Sequence, residues 1–180
     1  MTGNSRFIKA AFRLAIASAM VAGVPFIVPM QAEAATNTAD LDVSAEVSAN
    51  CTISTIALAF GSYDPVVAHA SAALDGQGTV TVTCTSGATT VITLGQGMNA
   101  DASSTDAAPA RQMVSGANEL AYALYSDSSR TTVWGNTSET GVSHVGTGTS
   151  ANLTVYGSVS GGQNVPAGSY SDTVVATVTF

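Results

Sequence analysis

Residues 39–51 read ADLDVSAEVSANC. Ala39, Leu41, Val43, Ala45, Val47, Ala49 and Cys51 are apolar, and Asp40, Asp42, Ser44, Glu46, Ser48 and Asn50 between them are polar. This period-2 alternation predicts a strand with one buried face. At about 3.3 Å per residue it would run roughly 43 Å. That is about twice the usual length of a strand in a globular domain. Nothing within the stretch accounts for the excess.

Toward the N-terminus, Arg6, Lys9 and Arg13 precede an apolar run from Leu14 to Met30, broken by Pro25 and Pro29. Ala32-Glu33-Ala34 follows as a small-x-small cleavage pattern. The segment 1–34 therefore reads as a secretory signal peptide. A membrane anchor fits less well, because a span needs about 20 uninterrupted apolar residues. The exported remainder, 35–180, keeps two arginines (Arg111 and Arg130), no lysine and eleven acids, a formal charge of −9. Such a surface repels nucleic acid and anionic lipid, so neither nucleic-acid binding nor membrane insertion of the mature chain is expected.

Cys51 and Cys84 are the only cysteines. Behind an export signal, an even count favours one disulfide. Its loop of 33 sequence steps would contribute about 3.5–4 kcal/mol by the chain-entropy model. The spacing matches neither a CxxC redox pair nor a zinc site.

Beyond Cys51 the strand signals continue. Gly78 to Cys84 (GTVTVTC) puts Val80, Val82 and Cys84 on one face. Residues 89–94 are rich in β-branched side chains; 119–125, 152–159 and 170–180 alternate again. Turn clusters such as Asp75-Gly-Gln-Gly and Gly161-Gly-Gln-Asn separate them. Many short strands with this punctuation predict an all-β antiparallel sandwich. Residues 97–109, small and acidic, read as an exposed loop within one domain.

Catalytic constellations are hard to assemble from what remains. His69 and His144 each stand alone among small residues, and a single imidazole makes neither a triad nor a metal site. Asp101 and Asp106 lie in a loop that offers no burial to raise an acid's pKa. No Gly-rich turn leads from a strand into a helix, as a phosphate cradle requires. Trp134 reads as a core aromatic, with a sugar-stacking platform as the alternative. No enzyme activity, metal or cofactor is expected.

Four segments resemble a known family. Leu58-Ala-Phe60-Gly61-Ser-Tyr63 is similar to the L-x-F-G-x-Y element of the spore coat protein U-type domain, which is also found in shaft pilins of archaic chaperone–usher pili. Gly78 to Cys84 is similar to its second cysteine strand. Leu120 to Asp127 with Trp134-Gly135, and Val165 to Val175, are similar to its middle segment and last strand. The resemblance implies an incomplete immunoglobulin-like sandwich of six strands whose missing last strand is supplied in trans. It implies an N-terminal donor strand over 35–47, carrying Ala39, Leu41, Val43, Ala45 and Val47, and a pilin domain over 48–180. The strand carrying Val174, Ala176, Val178 and Phe180 would then form the edge that meets a chaperone or donor. Implied partners are a periplasmic chaperone, an outer-membrane usher and further copies of the chain in a head-to-tail filament. The implied function is that of a structural subunit of a surface pilus supporting adhesion and biofilm formation. A self-contained secreted binding module or adhesin, and a spore or cyst coat protein, are the alternatives.

Overall fold

The computed structural model describes residues 33–180. The expected signal peptide, 1–34, lies outside the described residues except for its last two. The chain divides into two units, Met1–Ser44 and Ala45–Phe180. In the first, residues 33–44 are exposed and carry no strand.

The second unit holds eight strands: β1 (Cys51–Ile56), β2 (Leu74–Cys84), β3 (Thr89–Leu94), β4 (Arg111–Ser115), β5 (Asn118–Tyr125), β6 (Val142–Val145), β7 (Ser150–Val159) and β8 (Ala176–Thr179). They form two sheets, β1-β2-β7-β5-β4 and β6-β3-β8. Every pairing is antiparallel. If β1, β2, β7 and β5 are matched to strands A, B, E and D of an immunoglobulin sandwich, then β3 and β8 match C and F. The place of the seventh strand, beside β8, is empty among the described residues.

Eight strands stand where six were expected. The additions are the short β4 and β6, each of which pairs with one neighbour only and is too short to show an alternation. Two boundaries are also corrected. Of the strand expected over 39–51 only Cys51 lies in β1: Asn50 still exchanges hydrogen bonds with Thr85, but residues 39–49 have no such partner among the described residues. The strand expected from Tyr170 begins at Ala176, and the residues before it are diverted by the contacts of Asp172 described below.

β2 shows why these residues make a sheet. Gly78, Val80, Val82 and Cys84 are buried, whereas Thr79, Thr81 and Thr83 are partly exposed. On the outer face Thr81 Oγ1 donates to Asn152 Oδ1 at 2.9 Å, and Thr83 and Ser150 hydroxyls pair at 2.9 Å. Such cross-strand pairs fix register. The core unites Val80, Val82, Ile92, Leu94, Leu124, Trp134 and Val155. Trp134 is 1% exposed, and its Nε1–H donates to Ile92 O at 2.8 Å. It is a core residue, and a sugar platform at this position is ruled out by its burial.

Cys51 and Cys84 are joined by a disulfide. They face each other in the β1–β2 register, with Cα atoms 4.2 Å apart, close to the spacing of a non-hydrogen-bonded pair. The bridge therefore ties the first residue of β1 to the last of β2.

The L-x-F element packs onto a patch of glycines. Gly76 and Gly157 are register partners on β2 and β7. A Cβ on Gly157 would stand 2.7 Å from a Leu58 methyl and 2.8 Å from the Phe60 ring. Phe60 in turn meets Tyr122 edge-on, ring centroids 6.0 Å apart. Gly157→Val is expected to expel Leu58 and Phe60 and to cost about 1–3 kcal/mol, the usual penalty of overpacking. The midpoint of urea unfolding measures it; an unchanged midpoint would show that Leu58 and Phe60 are free to move aside.

Candidate functional site

An antiparallel sandwich with one strand place empty has two exposed edges and an uncovered seam. β1 pairs only with β2, and β8 only with β3. Along the seam between them runs a groove of about 1020 Å³. One wall is the end of β1 and the segment that follows, from Thr55 to Tyr63, with Pro65 and Val66. The opposite wall is the strap 164–173, continuing to Val174 and Ala176. The floor is apolar: Val80, Leu94, Leu120, Leu124, Val155 and Val159. Unpaired backbone edges flanking an apolar floor are the requirements for accepting an added strand.

The groove has a single charged residue among its lining, Asp172. Tyr122 Oη donates to Asp172 Oδ2 at 2.6 Å. Behind them Arg111, 1% exposed, donates from Nε to Gly95 O and from Nη2 to Leu94 O and Trp134 O, all at 2.9 Å. Its Nη1 has no partner among the described residues. Burial lowers the Arg111 pKa to about 10, against the favourable charge of Tyr122 and Asp172. Burial first, and then the Asp172 hydrogen bond and charge, push the Tyr122 phenol well above its ordinary range.

These two shifts make opposite contributions at high pH. A raised Tyr122 pKa means that the folded state holds a proton the unfolded chain loses. Its stabilisation is complete below about pH 10 and declines as pH rises. A lowered Arg111 pKa means that the unfolded chain holds more protons between about pH 10 and 12.5, so its share rises over that window. Tyr122→Phe removes only the first contribution. Stability of that variant is expected to fall less steeply than wild type above pH 10 in denaturant titrations. Parallel curves would show that the phenol ionises freely in the fold.

The residues singled out in the sequence fall in different places. Ala39, Leu41, Val43, Ala45 and Val47 are all exposed and outside any strand, with Leu41 and Val43 each 86% exposed. Val174, Ala176 and Val178 are half-buried against the core, and of these Val174 and Ala176 line the groove. Phe180 is exposed, just past β8. His69 stacks on Tyr63, with centroids 5.1 Å apart, and its Nδ1 accepts from Asp64 N–H at 3.0 Å. His144 sits on β6, its Nε2 without a partner among the described residues. Asp101 and Asp106 are exposed, and side-chain hydrogen bonds hold both below the usual carboxylate range, from Ser103 to Asp101 and from Asn136 and Gln96 to Asp106. Among the described residues no three His, Cys, Asp or Glu side chains gather as metal ligands do, and no helix is long and apolar enough to cross a membrane.

Sequence reasoning missed the Arg111–Tyr122–Asp172 cluster and the strap as a wall. One signal was present: Arg111 is one of only two cations after residue 34.

The Spore Coat Protein U domain model matches residues 37–177. Protein U of Myxococcus xanthus is 47% identical over 178 residues, covering 94% of this chain and 99% of that protein. Among solved structures, a chain of the pre-assembly complex of chaperone and tip adhesion subunit from the archaic chaperone-usher Csu pili of Acinetobacter baumannii has a similar fold. The TM-score is 0.54 at 23% identity, over 74% of this chain and 40% of that one. The chain thus spans two fifths of the length of the solved chain it matches.

Proposed function

The chain belongs to the Spore Coat Protein U domain family, and from that membership we propose that it is a structural subunit of a cell-surface filament, assembled by donor-strand exchange. The observation that carries the reading is the open groove between β1 and β8, paired with an exposed, alternating segment that has no strand partner among the described residues. The nine residues 39–47 extend about 30 Å, close to the span of the eleven-residue β2 beside which the groove runs. Leu41, Val43 and Val47 supply the large side chains and Ala39 and Ala45 the small ones. Inserted in the groove of a neighbouring copy, the segment completes its sandwich and covers both edges. Repeated head to tail, this contact does not close on itself and builds a filament.

Export to the periplasm, protection of the groove by a periplasmic chaperone and release through an outer-membrane usher follow from the same reading, as do roles in adhesion and biofilm formation. The fold likeness to the Csu complex supports a chaperone partner. A coat of a spore or cyst is the second reading, favoured by the family's description and the 47% identity to Protein U. Immunogold labelling distinguishes the two by whether the chain lies on filaments of growing cells or within a coat.

Cells producing the chain are expected to yield multimers that run as a ladder on unboiled gels. Val43→Asp should reduce the multimers at least tenfold, since a lone carboxylate cannot be buried in the groove without a large cost. A ladder indifferent to that change would sink donor-strand exchange through this segment.

A further inference from the structure

β8 pairs with β3 over only four residue pairs, Val91–Thr179 to Leu94–Ala176. The position of its free edge therefore depends on the strap that leads into it. Backbone bonds hold the strap at two points. Val114 and Ser171 exchange N–H···O bonds of 3.0 and 3.2 Å, and Met98 N–H donates to Thr173 O at 3.1 Å. Between these points one side chain reaches both sheets. Asp172 Oδ1 accepts from Met98 N at 3.0 Å, Asn99 N at 3.2 Å and Asn99 Nδ2 at 3.0 Å, all on the loop after β3. Asp172 Oδ2 accepts from Tyr122 on β5, in the opposite sheet. Gly97, at φ +93°, lies so close that a Cβ there would collide with the carboxylate.

We propose that Asp172 is a positioning residue, a latch that holds the strap to both sheets and keeps the acceptor groove open before a donor arrives. The proposal rests on the donor-strand reading. Hydrogen bonds to an ionised acceptor are roughly twice as strong as neutral ones, and this carboxylate gathers four. With the latch closed, the strap wall stands fixed opposite the Thr55–Tyr63 wall, and an incoming strand does not have to order it. Preorganisation of this kind appears directly in affinity. The Asp172 charge also favours the protonated form of the buried Arg111.

The test uses the exported chain, 35–180, and a labelled peptide of residues 36–47. Asp172→Ala is expected to weaken peptide binding at least tenfold. Tyr122→Phe, which removes one of the four bonds and keeps the ring, should speed peptide dissociation about three- to tenfold. Asp172→Asn, which keeps the shape, should fall between wild type and Asp172→Ala. Amide exchange over 169–173 should accelerate at least tenfold in Asp172→Ala, while the near-UV signal of buried Trp134 stays at its wild-type value. Wild-type affinity in Asp172→Ala, unaccelerated exchange, or affinity lost only in step with the Trp134 signal would overturn the latch. If Asp172→Ala does not fold, Tyr122→Phe decides by the same two readouts. A wild-type chain that stays monomeric and still binds no peptide overturns the donor-strand reading instead; in that case, or where multimers already fill the groove, exchange over 169–173 decides the latch alone.

Discussion

A peptide of residues 36–47 is expected to raise the melting temperature of a disulfide-bonded chain beginning at Ser48 by about 10–15 °C. Linkage sets the size of the shift. A ligand at 100 to 1,000 times its Kd adds about 2.7–4.1 kcal/mol. A domain of this size unfolds with an entropy near 2.1 cal/mol/K per residue, which converts that gain into the stated shift. The source of the affinity is visible in the chain. Leu41, Val43 and Val47 are now 81–86% exposed, and full burial of each is worth about 1.5–3 kcal/mol. Pairing with the free edges of β1 and β8 adds backbone hydrogen bonds, and the ordering of a flexible peptide offsets part of the total. A peptide carrying Val43→Asp should give no shift. A truncated chain that is already stable and ignores the wild-type peptide would be a complete sandwich, and the search would turn to ligands of a self-contained module.

Loss of the Cys51–Cys84 bridge has the second large effect. Cys51→Ser with Cys84→Ser is expected to cost about 3.5–4 kcal/mol, or about 10–15 °C in melting temperature. The damage should not be confined to stability. β1 is an edge strand six residues long, held by β2 alone, and it supplies one edge of the groove. Its first residue is also the point to which the extension is attached. Any pull on the extension therefore acts on Cys51, and the bridge passes the load to β2, the longest strand, which is paired on both sides. The double variant should bind the peptide 36–47 more weakly by at least tenfold at a temperature where both proteins are folded. Equal affinity would show that β1 stays in place without its covalent tie.

Much of the sandwich was legible because its strands alternate. Val80, Val82 and Cys84 on β2 were placed on one face by period alone, and the structure buries them. The cysteine pairing was legible because only one pairing exists. β4 and β6 were not, since four or five residues with one neighbour carry too little alternation to register. The partner of the 39–51 stretch was hidden for a different reason. Period-2 alternation reports that a face seeks burial but not what buries it, and here nothing within the exposed extension does.

The groove and its latch belong wholly to tertiary structure. Asp172, Tyr122 and Arg111 are separated by up to 61 positions, and no local pattern links them. They meet because β4 and β5 pair in register, with Arg111 opposite Tyr122, and because the strap crosses from one sheet to the other beside them. By itself the sequence determined which faces are apolar, where the chain turns and which thiols can join, because these depend on residue type and short-range spacing. Only the tertiary structure decided that one strand place stands empty and which side chains wall it, because an unpaired edge is defined by neighbours brought together from distant parts of the chain.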